Sequence, residues 1–327
     1  MSQVGAAIDV GSNSVHLLVG LVGAAGGGAG VTPLDDESAL LGLGDVVDRE
    51  GHVPPAARDK LVETLRSYSA TAARFGALHL TLLGTEPLRR ASNRSVVQAD
   101  VLGALGEPLH VLSHETEAYL TLLAVTGGMP PEIPLLVADI GGGSSETIFA
   151  TPGERAIIGT MPTGSARLTA ALVQHDPPTW FEINALRGEA ARLVGALPAA
   201  TPERCVMVGG TASNVLRVIH GVRGGRMARA GLASLFETLT ARPADALVQA
   251  FGINRRRAGM LAAGAALIEA LMARYALPEV EVSAVSLREG AIVARTLAGD
   301  TWEEQLPMLV ASPPQAPISA SGLQPLS

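Results

Sequence analysis

The feature that most constrains the fold is a short pattern that occurs twice along the chain. An apolar strand reaches an aspartate, a turn rich in glycine and serine follows, and a second strand begins after it. The first copy spans residues 6–19 and contains Asp9, and the second spans residues 135–149 and contains Asp139. Two such units predict two related subdomains that each bring a turn to a shared cleft. Short motifs also recur by chance, so the repeat alone does not establish that the two subdomains are related by duplication.

The two turns have the composition of an anion-binding site. Their residues are Gly11, Ser12, Asn13 and Ser14 in the first copy and Gly141, Gly142, Gly143, Ser144 and Ser145 in the second. Small residues leave backbone N–H groups open to phosphate oxygens, and serine hydroxyls add further donors. Asp9 and Asp139 stand beside these turns, where a carboxylate is expected to orient Mg²⁺ or its bound water. A tight hairpin turn without any ligand is the alternative for each loop.

A third glycine-containing segment separates a predicted strand from a predicted helix and consists of Gly209, Gly210 and Thr211. Because N–H groups point outward at a helix N-terminus, this segment is expected to accept a phosphate or to lie against a nucleotide base or ribose. A close backbone crossing between subdomains is the alternative. The triple-glycine turn does not match a dinucleotide-binding fingerprint, because residues 145–149 predict a strand where that fingerprint opens a helix.

The basic residues limit how phosphate can be held. Lys60 is the single lysine in the chain, so no glycine-rich loop contains the lysine that a P-loop nucleotidase requires. The formal net charge is -7, which argues against a protein that coats nucleic acid with a basic face. Phosphate would therefore be held by backbone N–H groups, serines, arginines and a metal ion, and no nucleic-acid partner is expected.

Strands that alternate with helices over 327 residues predict an α/β protein of about two domains. We place domain I at residues 1–122, domain II at 123–303 and a flexible Pro/Ser-rich tail at 304–327. Gly23–Gly30 is expected to be a flexible surface turn, and Arg257–Tyr275 to be one long helix that follows a run of arginines.

The cellular compartment is predicted from the number of cysteines and from two apolar stretches of the sequence. The single cysteine, Cys205, cannot form an internal disulfide and is expected to be a small buried hydrophobe. The apolar N-terminus has no basic segment before it and is interrupted by Asp9, which disfavours a signal peptide. Residues 258–272 are too short and too rich in Ala and Gly for a membrane span. We therefore expect a cytoplasmic protein without a membrane partner.

At this point the motifs show a resemblance that covers nearly the whole chain except the tail. Four stretches carry it: AAIDVGSNSVHLLV, LLVADIGGGSSETIF, VGGTASNVL and SLREGAI. Between them, LGLGDVVDREGHVPP, GTEPLRRASNR, SHETEAYL and MPTGSARLT follow in the family's order. The chain resembles short members of the PPX/GppA family, the exopolyphosphatases and guanosine pentaphosphate phosphohydrolases. The resemblance implies the actin-like ATPase fold of sugar kinases, Hsp70 and actin, with two ribonuclease H-like domains that close on a phosphate cleft.

The resemblance also implies a catalytic residue. Glu117 matches the glutamate that precedes the alanine of the family's Glu-Glu-Ala motif, and its implied role is the general base. A carboxylate that faces two phosphate turns would orient a water for in-line attack on a terminal phosphoryl group. From the sequence alone Glu117 is one helix acid, for which a solvated position is the simpler interpretation. Its neighbour Glu115 is expected to be a surface acid.

Further site residues follow from the same resemblance. Glu146 matches the acid after the family's Gly-Ser pair, and with Asp139 it would help to hold Mg²⁺; an outward strand position is the alternative. Arg89 is similar to the family's phosphate-contacting arginine and suits bidentate anion recognition. Arg90 and Arg94 either extend that patch or are solvated.

The chain departs from the family's pattern around the acidic pair. The family commonly has Ser-Gly before this pair and Arg after the alanine, whereas this chain has Ser113, His114 and Tyr119 there, with Thr116 in place of the first glutamate. His16 lies inside the first hairpin, where packing is expected rather than metal binding.

The leading functional hypothesis is a phosphohydrolase that uses Mg²⁺ or another divalent cation to remove the terminal phosphate of inorganic polyphosphate. Guanosine pentaphosphate is the alternative substrate. An ATP-dependent kinase of the same superfamily would instead consume ATP only with an acceptor, and a non-catalytic sensor of alarmone or polyphosphate would bind without releasing phosphate. A homodimer is left open.

Overall fold

Two β-sheets organise the molecule. The computed structural model describes residues 3–25, 28–222 and 224–311. The strands of the first sheet are β1 (Gln3–Val10), β2 (Ser14–Ala25), β3 (Gly28–Leu40), β4 (Leu80–Gly84) and β5 (Leu109–Val111). The strands of the second sheet are β6 (Leu135–Ile140), β7 (Ser145–Ala150), β8 (Ile157–Met161), β9 (Arg204–Val208), β10 (Gly225–Ala228) and β11 (Glu279–Val282).

The two sheets share one topology. The first has the order β3-β2-β1-β4-β5, and the second has the order β10-β11-β9-β6-β7-β8. In each sheet the first three strands in the chain form an antiparallel meander, and two parallel strands then extend the sheet from its first strand. The second sheet has one further edge strand, β10, which is antiparallel to β11. The topology therefore contains the duplication that the repeated motif predicts, and it places β1 and β6 at equivalent central positions.

Helices cover both sheets. Those that follow strands of the first sheet are α1 (Leu43–Glu50), α2 (Pro55–Arg74), α3 (Glu86–Arg90), α4 (Arg94–Leu105) and α5 (His114–Thr126). The remaining helices are α6 (Ser165–Leu172), α7 (Trp180–Gly195), α8 (Gly209–His220), α9 (Gly231–Ala241), α10 (Ala244–Phe251), α11 (Arg255–Gly259), α12 (Leu261–Arg274), α13 (Leu287–Ala298) and α14 (Trp302–Ala311). A short 3₁₀ turn, Gly299–Thr301, joins the last two.

The helices α5 and α13 lie between the two sheets and form the centre of the molecule. Their apolar side chains share one buried core with residues of both sheets, such as Leu18 and Val137. Gly290 of α13 lies directly against the backbone of Leu120 in α5, where a Cβ atom would overlap the carbonyl oxygen. This close crossing sets the position of α5, which carries Glu117. Helix α13 follows the last strand of the second sheet and packs on α5 and on β1 of the first.

Three expectations about local structure differ from the structure. The segment Gly23–Gly30 is not simply a flexible turn, because Gly23 pairs with Gly30 as β2 and β3 continue their register; residues 26–27 lie outside the described residues. The expected helix Arg257–Tyr275 is divided at Met260, which ends α11 and precedes α12.

The expected tail is helical over residues 304–311, because α14 extends to Ala311. Trp302, Leu306 and Val310 recur every four residues and are buried, and this stripe anchors the helix against the core. Residues 312–327 of the expected tail lie outside the described residues. Cys205 is buried, as expected. Over the described ranges, no helix is long and apolar enough to cross a membrane.

Candidate active site

The two strand–turn–strand units meet at a cleft of about 720 Å³ between the domains. Each turn is closed by the same backbone hydrogen bond. The N–H group of Gly11 donates to the carbonyl oxygen of Ser14 over 3.1 Å, and that of Gly141 donates to the carbonyl oxygen of Ser144 over 3.0 Å. The repeated motif therefore produces two similar turns that line one cleft from opposite sides.

Most of the residues predicted for the site line this cleft. They are Asp9, Gly11, Ser12, Asn13, Ser14, Glu117, Asp139, Gly141, Gly142, Gly143, Ser144, Glu146, Gly209, Gly210 and Thr211. Ser145 does not line it: its side chain is buried, and its hydroxyl donates to the carbonyl oxygen of Thr163 over 3.0 Å. The Ser145 hydroxyl therefore braces the turn and is not available to phosphate. Arg89 is also outside the lining, but it reaches the cleft residues through direct contacts.

Glu117 enters the cleft from the first turns of α5. Ser113 caps this helix by accepting a hydrogen bond from the Thr116 N–H group over 3.0 Å, which fixes where the helix begins. Burial raises the pKa of Glu117 well above its usual range, and nearby Glu146 raises it further, whereas contact with Arg89 lowers it. Glu115, two residues earlier, is exposed, as expected. The Glu117 side chain is thus a buried carboxyl group with raised proton affinity.

Arg89 joins elements of both domains. It contacts the Glu117 carboxylate, and its Nη1 donates to the carbonyl oxygen of Leu112 over 2.8 Å. Its Nη2 approaches the Ser144 hydroxyl at 3.4 Å and lies 3.9 Å from a Glu146 carboxylate oxygen. The arginine therefore lies where the second turn meets α5.

His114 contacts residues of the site, although the sequence did not identify it as a site residue. Its Nδ1 lies 2.6 Å from a carboxylate oxygen of Glu146 and 3.2 Å from Nη2 of Arg89. The sequence marked this position only as a departure from the family's pattern. The one sequence signal for His114 is its position three residues before Glu117 at the start of the same helix. Its partner Glu146 is 32 residues away in the chain, so the contact itself cannot be recognised from the sequence.

The two aspartates of the repeated motif are enclosed at the base of the cleft. Burial raises the pKa of Asp9 to about 6, although the Arg288 guanidinium lowers it. Burial raises the pKa of Asp139 to about 8, and the neighbouring Glu146 and Asp9 carboxylates add to this shift. Gly209 lies beside Asp139, and a Cβ atom at this glycine would come within 2.5 Å of the carboxylate. Both aspartates lie where a bound cation would favour their ionised forms.

The acidic side chains do not form a preassembled metal centre. Within residues 3–25, 28–222 and 224–311, no group of three or more His, Cys, Asp or Glu side chains is arranged to hold a metal ion. The buried Oδ1 atoms of Asp9 and Asn13 have no hydrogen-bond partner among the described residues. Because Mg²⁺ usually binds one or two carboxylates together with waters and substrate phosphates, the donors present at Asp9 and Asp139 fit such an ion.

Glu86 is a second residue that the sequence reasoning missed. It is buried at the start of α3, and its carboxylate accepts a hydrogen bond from the Ser12 hydroxyl over 2.6 Å. It also contacts Arg90 and lies 2.9 Å from a guanidinium nitrogen of Arg167. A Cβ atom at Gly143 would clash with this carboxylate. Glu86 thus lies where the first turn, α3 and the second turn come together.

Arg288, at the start of α13, is the third missed residue. Its Nη1 donates to the carbonyl oxygen of Leu17 over 2.9 Å and to a carboxylate oxygen of Asp36 over 2.8 Å. The motif SLREGAI contains this arginine, but the sequence alone assigned it no role. The guanidinium group is almost completely buried and contributes positive charge near Asp9.

The third glycine segment forms the first turn of α8 and does not precede it, since the helix begins at Gly209. The Thr211 hydroxyl lies 3.4 Å from the hydroxyl of Ser165. The guanidinium group of Arg257 packs against Gly210. A Cβ atom at Gly210 would come within 3.0 Å of this guanidinium group. The segment lines the cleft, and its binding of a phosphate or nucleotide stays a prediction.

Carboxylates outnumber guanidinium groups around the cleft. The acidic lining residues are Asp9, Asp36, Glu86, Glu117, Asp139 and Glu146, whereas the lining arginines are Arg257 and Arg288. Burial raises the pKa of Asp139 to about 8 and that of Asp9 to about 6, so Asp139 is mostly neutral near pH 7 while no cation is bound. A cation in the cleft would favour the ionised forms of these acids.

Comparison with known proteins gives a consistent result. The Ppx/GppA phosphatase family model matches residues 22–298. The protein named exopolyphosphatase 1 of Mycobacterium tuberculosis is 31% identical over 333 residues, which cover 97% of this chain and 94% of that protein. Exopolyphosphatase 1 of Mycobacterium leprae is 31% identical and covers 88% of each chain.

The fold is also found among solved structures. The Aquifex aeolicus member of the Ppx/GppA family superposes with a TM-score of 0.77 at 24% identity, over 92% of this chain and 99% of that chain. An exopolyphosphatase from Cytophaga hutchinsonii superposes with a TM-score of 0.75 at 22% identity, over 88% and 96% of the two chains. These similarities confirm the expected actin-like fold with two domains.

Proposed function

Because the chain belongs to the Ppx/GppA phosphatase family, we propose that it is an exopolyphosphatase that hydrolyses the terminal phosphoanhydride bond of inorganic polyphosphate. One observation carries the proposal. The buried carboxyl group of Glu117 lines the same cleft as the two donor-rich turns and contacts Arg89, which also reaches Ser144 of the second turn. The mycobacterial relatives that carry this activity in their names match almost the full length of the chain.

The terminal phosphoryl group would bind between the two turns. Ser12, Asn13, Gly142 and Gly143 line the cleft, so their backbone N–H groups would supply donors from both turns. The Ser144 hydroxyl accepts from Arg89 and would donate its own proton to the phosphoryl group. Arg89 would bind an equatorial oxygen as negative charge increases in the transition state. Donors fixed in position before the reaction lower the barrier more than mobile ones, because they need no reorganisation.

Glu117 would activate the attacking water. As the water oxygen forms a bond to phosphorus, its proton moves to the Glu117 carboxylate, and the bond from phosphorus to the bridging oxygen breaks with its electron pair on the shortened chain. Burial raises the pKa of Glu117 above its usual acidic range, and a general base is most effective when its pKa lies near the pH at which it works. Arg89 keeps the carboxylate oriented towards the turns.

A divalent cation such as Mg²⁺ would be held by Asp9, Asp139 and Glu146 at the base of the cleft. When bound, it neutralises phosphoryl oxygens and favours the ionised forms of the aspartates. The excess of carboxylates in the cleft and the unpartnered Oδ1 atom of Asp9 support this assignment.

The test is phosphate release from long-chain polyphosphate, with and without Mg²⁺, by the wild type, Glu117→Gln and Glu115→Gln. We expect Glu117→Gln to lower kcat by about 10²- to 10⁴-fold, the usual range for loss of a general base. Glu115→Gln removes an exposed charge from the same helix and should change kcat less than about twofold. Full activity of Glu117→Gln would rule out Glu117 as the base.

Guanosine pentaphosphate is the second candidate substrate, and the position of the α8 N-terminus in the cleft favours it. Thr211 and Asn214 extend the lining beyond the two turns and would contact a nucleoside joined to the bound phosphates. Comparing kcat/KM for the two substrates separates the candidates. Phosphate release from either one without an acceptor would distinguish hydrolysis from kinase activity and from ligand sensing.

A further inference from the structure

A row of ion pairs joins the two domains beside the cleft, next to the lining residues Glu86 and Arg257. We refer to this row as the rim. Asp45 and Asp48 stand three residues apart on α1, so both carboxylates lie on one helix face. Asp45 lies 2.6 Å from Nη2 of Arg256 in α11, and Asp48 lies 3.4 Å from Nη2 of Arg167 in α6. One helix of the first domain thus holds arginines from two helices of the second.

Arg90 extends this row towards the candidate active site. Its Nη1 lies 2.7 Å from Asp48, and it directly follows Arg89, which contacts Glu117. Arg90 and Arg167 also both contact the buried carboxylate of Glu86. These two arginines are therefore anchored on their inner side by Glu86, while Asp48 occupies their outer side.

The outer ion pairs are exposed enough to exchange with a ligand. The side chains of Asp45 and Asp48 are 57% and 47% exposed, and those of Arg256, Arg90 and Arg167 are 34%, 32% and 25% exposed. Ion pairs in such surroundings contribute little to stability, because water solvates both charges well when they separate. The buried carboxylate of Glu86 is only 7% exposed, so it keeps the inner contacts in place.

A chain-like polyanion matches this row. The cleft interior carries more acidic than basic side chains, whereas the rim presents three guanidinium groups that lead outward from Arg89. A polyphosphate whose end lies between the two turns must pass over the rim with its remaining phosphoryl groups. Guanidinium groups bind phosphate oxygens in the same bidentate manner in which they bind carboxylates.

We propose that Arg90, Arg167 and Arg256 bind the phosphoryl groups that follow the terminal one, and that Asp45 and Asp48 occupy this site when no chain is bound. The two carboxylates, about one helical turn apart, bind the arginines in the same way as successive phosphoryl groups of a bound chain would. The proposal rests on the proposed function, since it describes how the same cleft grips the remainder of its substrate. It assigns to α1 the role of an internal competitor for long chains.

The test compares KM for tripolyphosphate and for long-chain polyphosphate, with saturating Mg²⁺. Arg256→Gln should raise KM for the long chain about tenfold, the loss expected for one charge-assisted contact, and change KM for tripolyphosphate less than about twofold. The double variant Asp45→Asn/Asp48→Asn should lower KM for the long chain about fivefold, because the competing carboxylates are removed. In both variants kcat should remain close to the wild-type value.

Matched controls separate local binding from net charge. Arg192 and Glu189 form an exposed ion pair on α7, away from the cleft lining. Arg192→Gln and Glu189→Gln change the net charge by the same amount as single substitutions in the rim, and neither should alter KM for either substrate. Arg167→Lys keeps a charge beside buried Glu86, so it tests bidentate binding without leaving that carboxylate unpaired.

The outcomes distinguish this proposal from the proposed function. If the wild type releases phosphate from both substrates but Arg256→Gln changes both KM values equally, the outer site is wrong and the exopolyphosphatase assignment stands. An unchanged or higher long-chain KM in Asp45→Asn/Asp48→Asn would equally overturn it. If the wild type releases no phosphate from polyphosphate of any length, the proposed function itself fails.

Discussion

The two strand–turn–strand units have the same backbone arrangement and differ in the residue that faces the aspartate. In the first unit Asp9 pairs across the hairpin with His16, whereas in the second Asp139 pairs with Glu146. Burial, with nearby Arg288 and Arg257, lowers the pKa of His16 to about 4, so this side chain is neutral at neutral pH. The first unit therefore has one acid in the facing pair and the second has two. A bound cation would reduce the repulsion between the two carboxylates of the second unit, so we expect the cation to bind mainly there.

The turns are also held by different partners. The Ser12 hydroxyl donates to Glu86, and the Ser14 hydroxyl lies 2.6 Å from a ring nitrogen of His16, so other residues of the first domain hold the first turn. The second turn packs against the first domain through Gly143, next to Ser12 and Glu86. Both turns are thus braced within their own domains, since the N–H groups of Ser165 and Ala166 donate to the carbonyl oxygens of Gly141 and Gly142 in the second turn. They differ because the second turn also fits against side chains of the other domain at a glycine, Gly143.

Among substitutions that bear on the two units, the largest effect is expected from one at the contact between the turns. In Gly143→Ala the added Cβ meets the Glu86 carboxylate and lies within 2.8 Å of the Ser12 hydroxyl, so either the Ser12–Glu86 hydrogen bond is displaced or the turns move apart. Since a misplacement of about 1 Å in a catalytic site costs about hundredfold in rate, we expect kcat/KM to fall by about that factor. Steady-state phosphate release measures it.

Two other glycines show whether the clash is the cause. A Cβ at Gly142 would make only an ordinary contact with Ala166 at 3.5 Å, so Gly142→Ala should lose less activity than Gly143→Ala. Gly188→Ala, on α7 with open space around it, should keep full activity. Equal losses in Gly142→Ala and Gly143→Ala would mean that the approach of the turns does not matter.

The second prediction removes the charge that distinguishes the two units. Glu146→Gln takes a carboxylate from beside Asp139, so the concentration of Mg²⁺ that gives half-maximal activity should rise about tenfold to hundredfold. His16→Gln, the corresponding change in the first unit, should alter the Mg²⁺ requirement much less. If both variants respond to Mg²⁺ alike, the assignment of the cation to the second unit is wrong.

The third prediction concerns stability in the absence of divalent cations. The folded protein raises the pKa of Asp139 from 3.8 to about 8 and that of Asp9 from 3.8 to about 6. An acid that binds protons more tightly when folded stabilises the folded state at low pH and loses that contribution as pH rises. The free energy of unfolding should therefore fall between about pH 4 and pH 8 because of Asp139.

Urea denaturation in the presence of a chelator measures this slope. Asp139→Asn should flatten it up to about pH 8, whereas Asp9→Asn should change it only up to about pH 6. Saturating Mg²⁺ should flatten it in the wild type, since the ion favours both carboxylates in their ionised forms. A slope that is unchanged in Asp139→Asn would contradict the prediction.

The smallest effect is expected from His16. Its pKa falls from 6.5 to about 4 on folding, so the folded state binds this proton less tightly and gains stability as pH rises from 4 to 6.5. This trend opposes that of Asp9 over nearly the same range. Removing His16 by substitution with Gln should make the decline in unfolding free energy steeper below about pH 6.5 and leave it unaltered above.

Much of the cleft could be predicted before its geometry was known. The two turns, the two aspartates and the segment at Gly209 all line it. They are recognisable because glycine-rich turns and apolar strands arise from local sterics and hydrogen bonding, which act between neighbours in the chain. Predictions were poorer where local preference was weak, as in β3, which continues the sheet through a glycine-rich stretch because β2 offers it a partner.

The missed residues share another cause. Glu86 reaches Ser12 across 74 residues of sequence, and Arg288 reaches Leu17 across 271. Neither contact leaves a local pattern, because any acidic or basic residue at the start of a helix looks the same until its partner is known. The roles proposed for Glu117, Arg89 and the metal-binding carboxylates remain predictions that the variants above address.

The sequence by itself determined the repeated unit, the lack of a P-loop lysine and the chemical types available for binding phosphate, since these depend on residue identity and on neighbours in the chain. Only the tertiary structure decided that His16 and Glu146 face equivalent aspartates, that Glu86 lies where the turns meet, and that rim arginines pair with α1. Packing and electrostatic interactions act through distance in space, and burial changes the proton affinity of each acid, so neither follows from spacing along the chain.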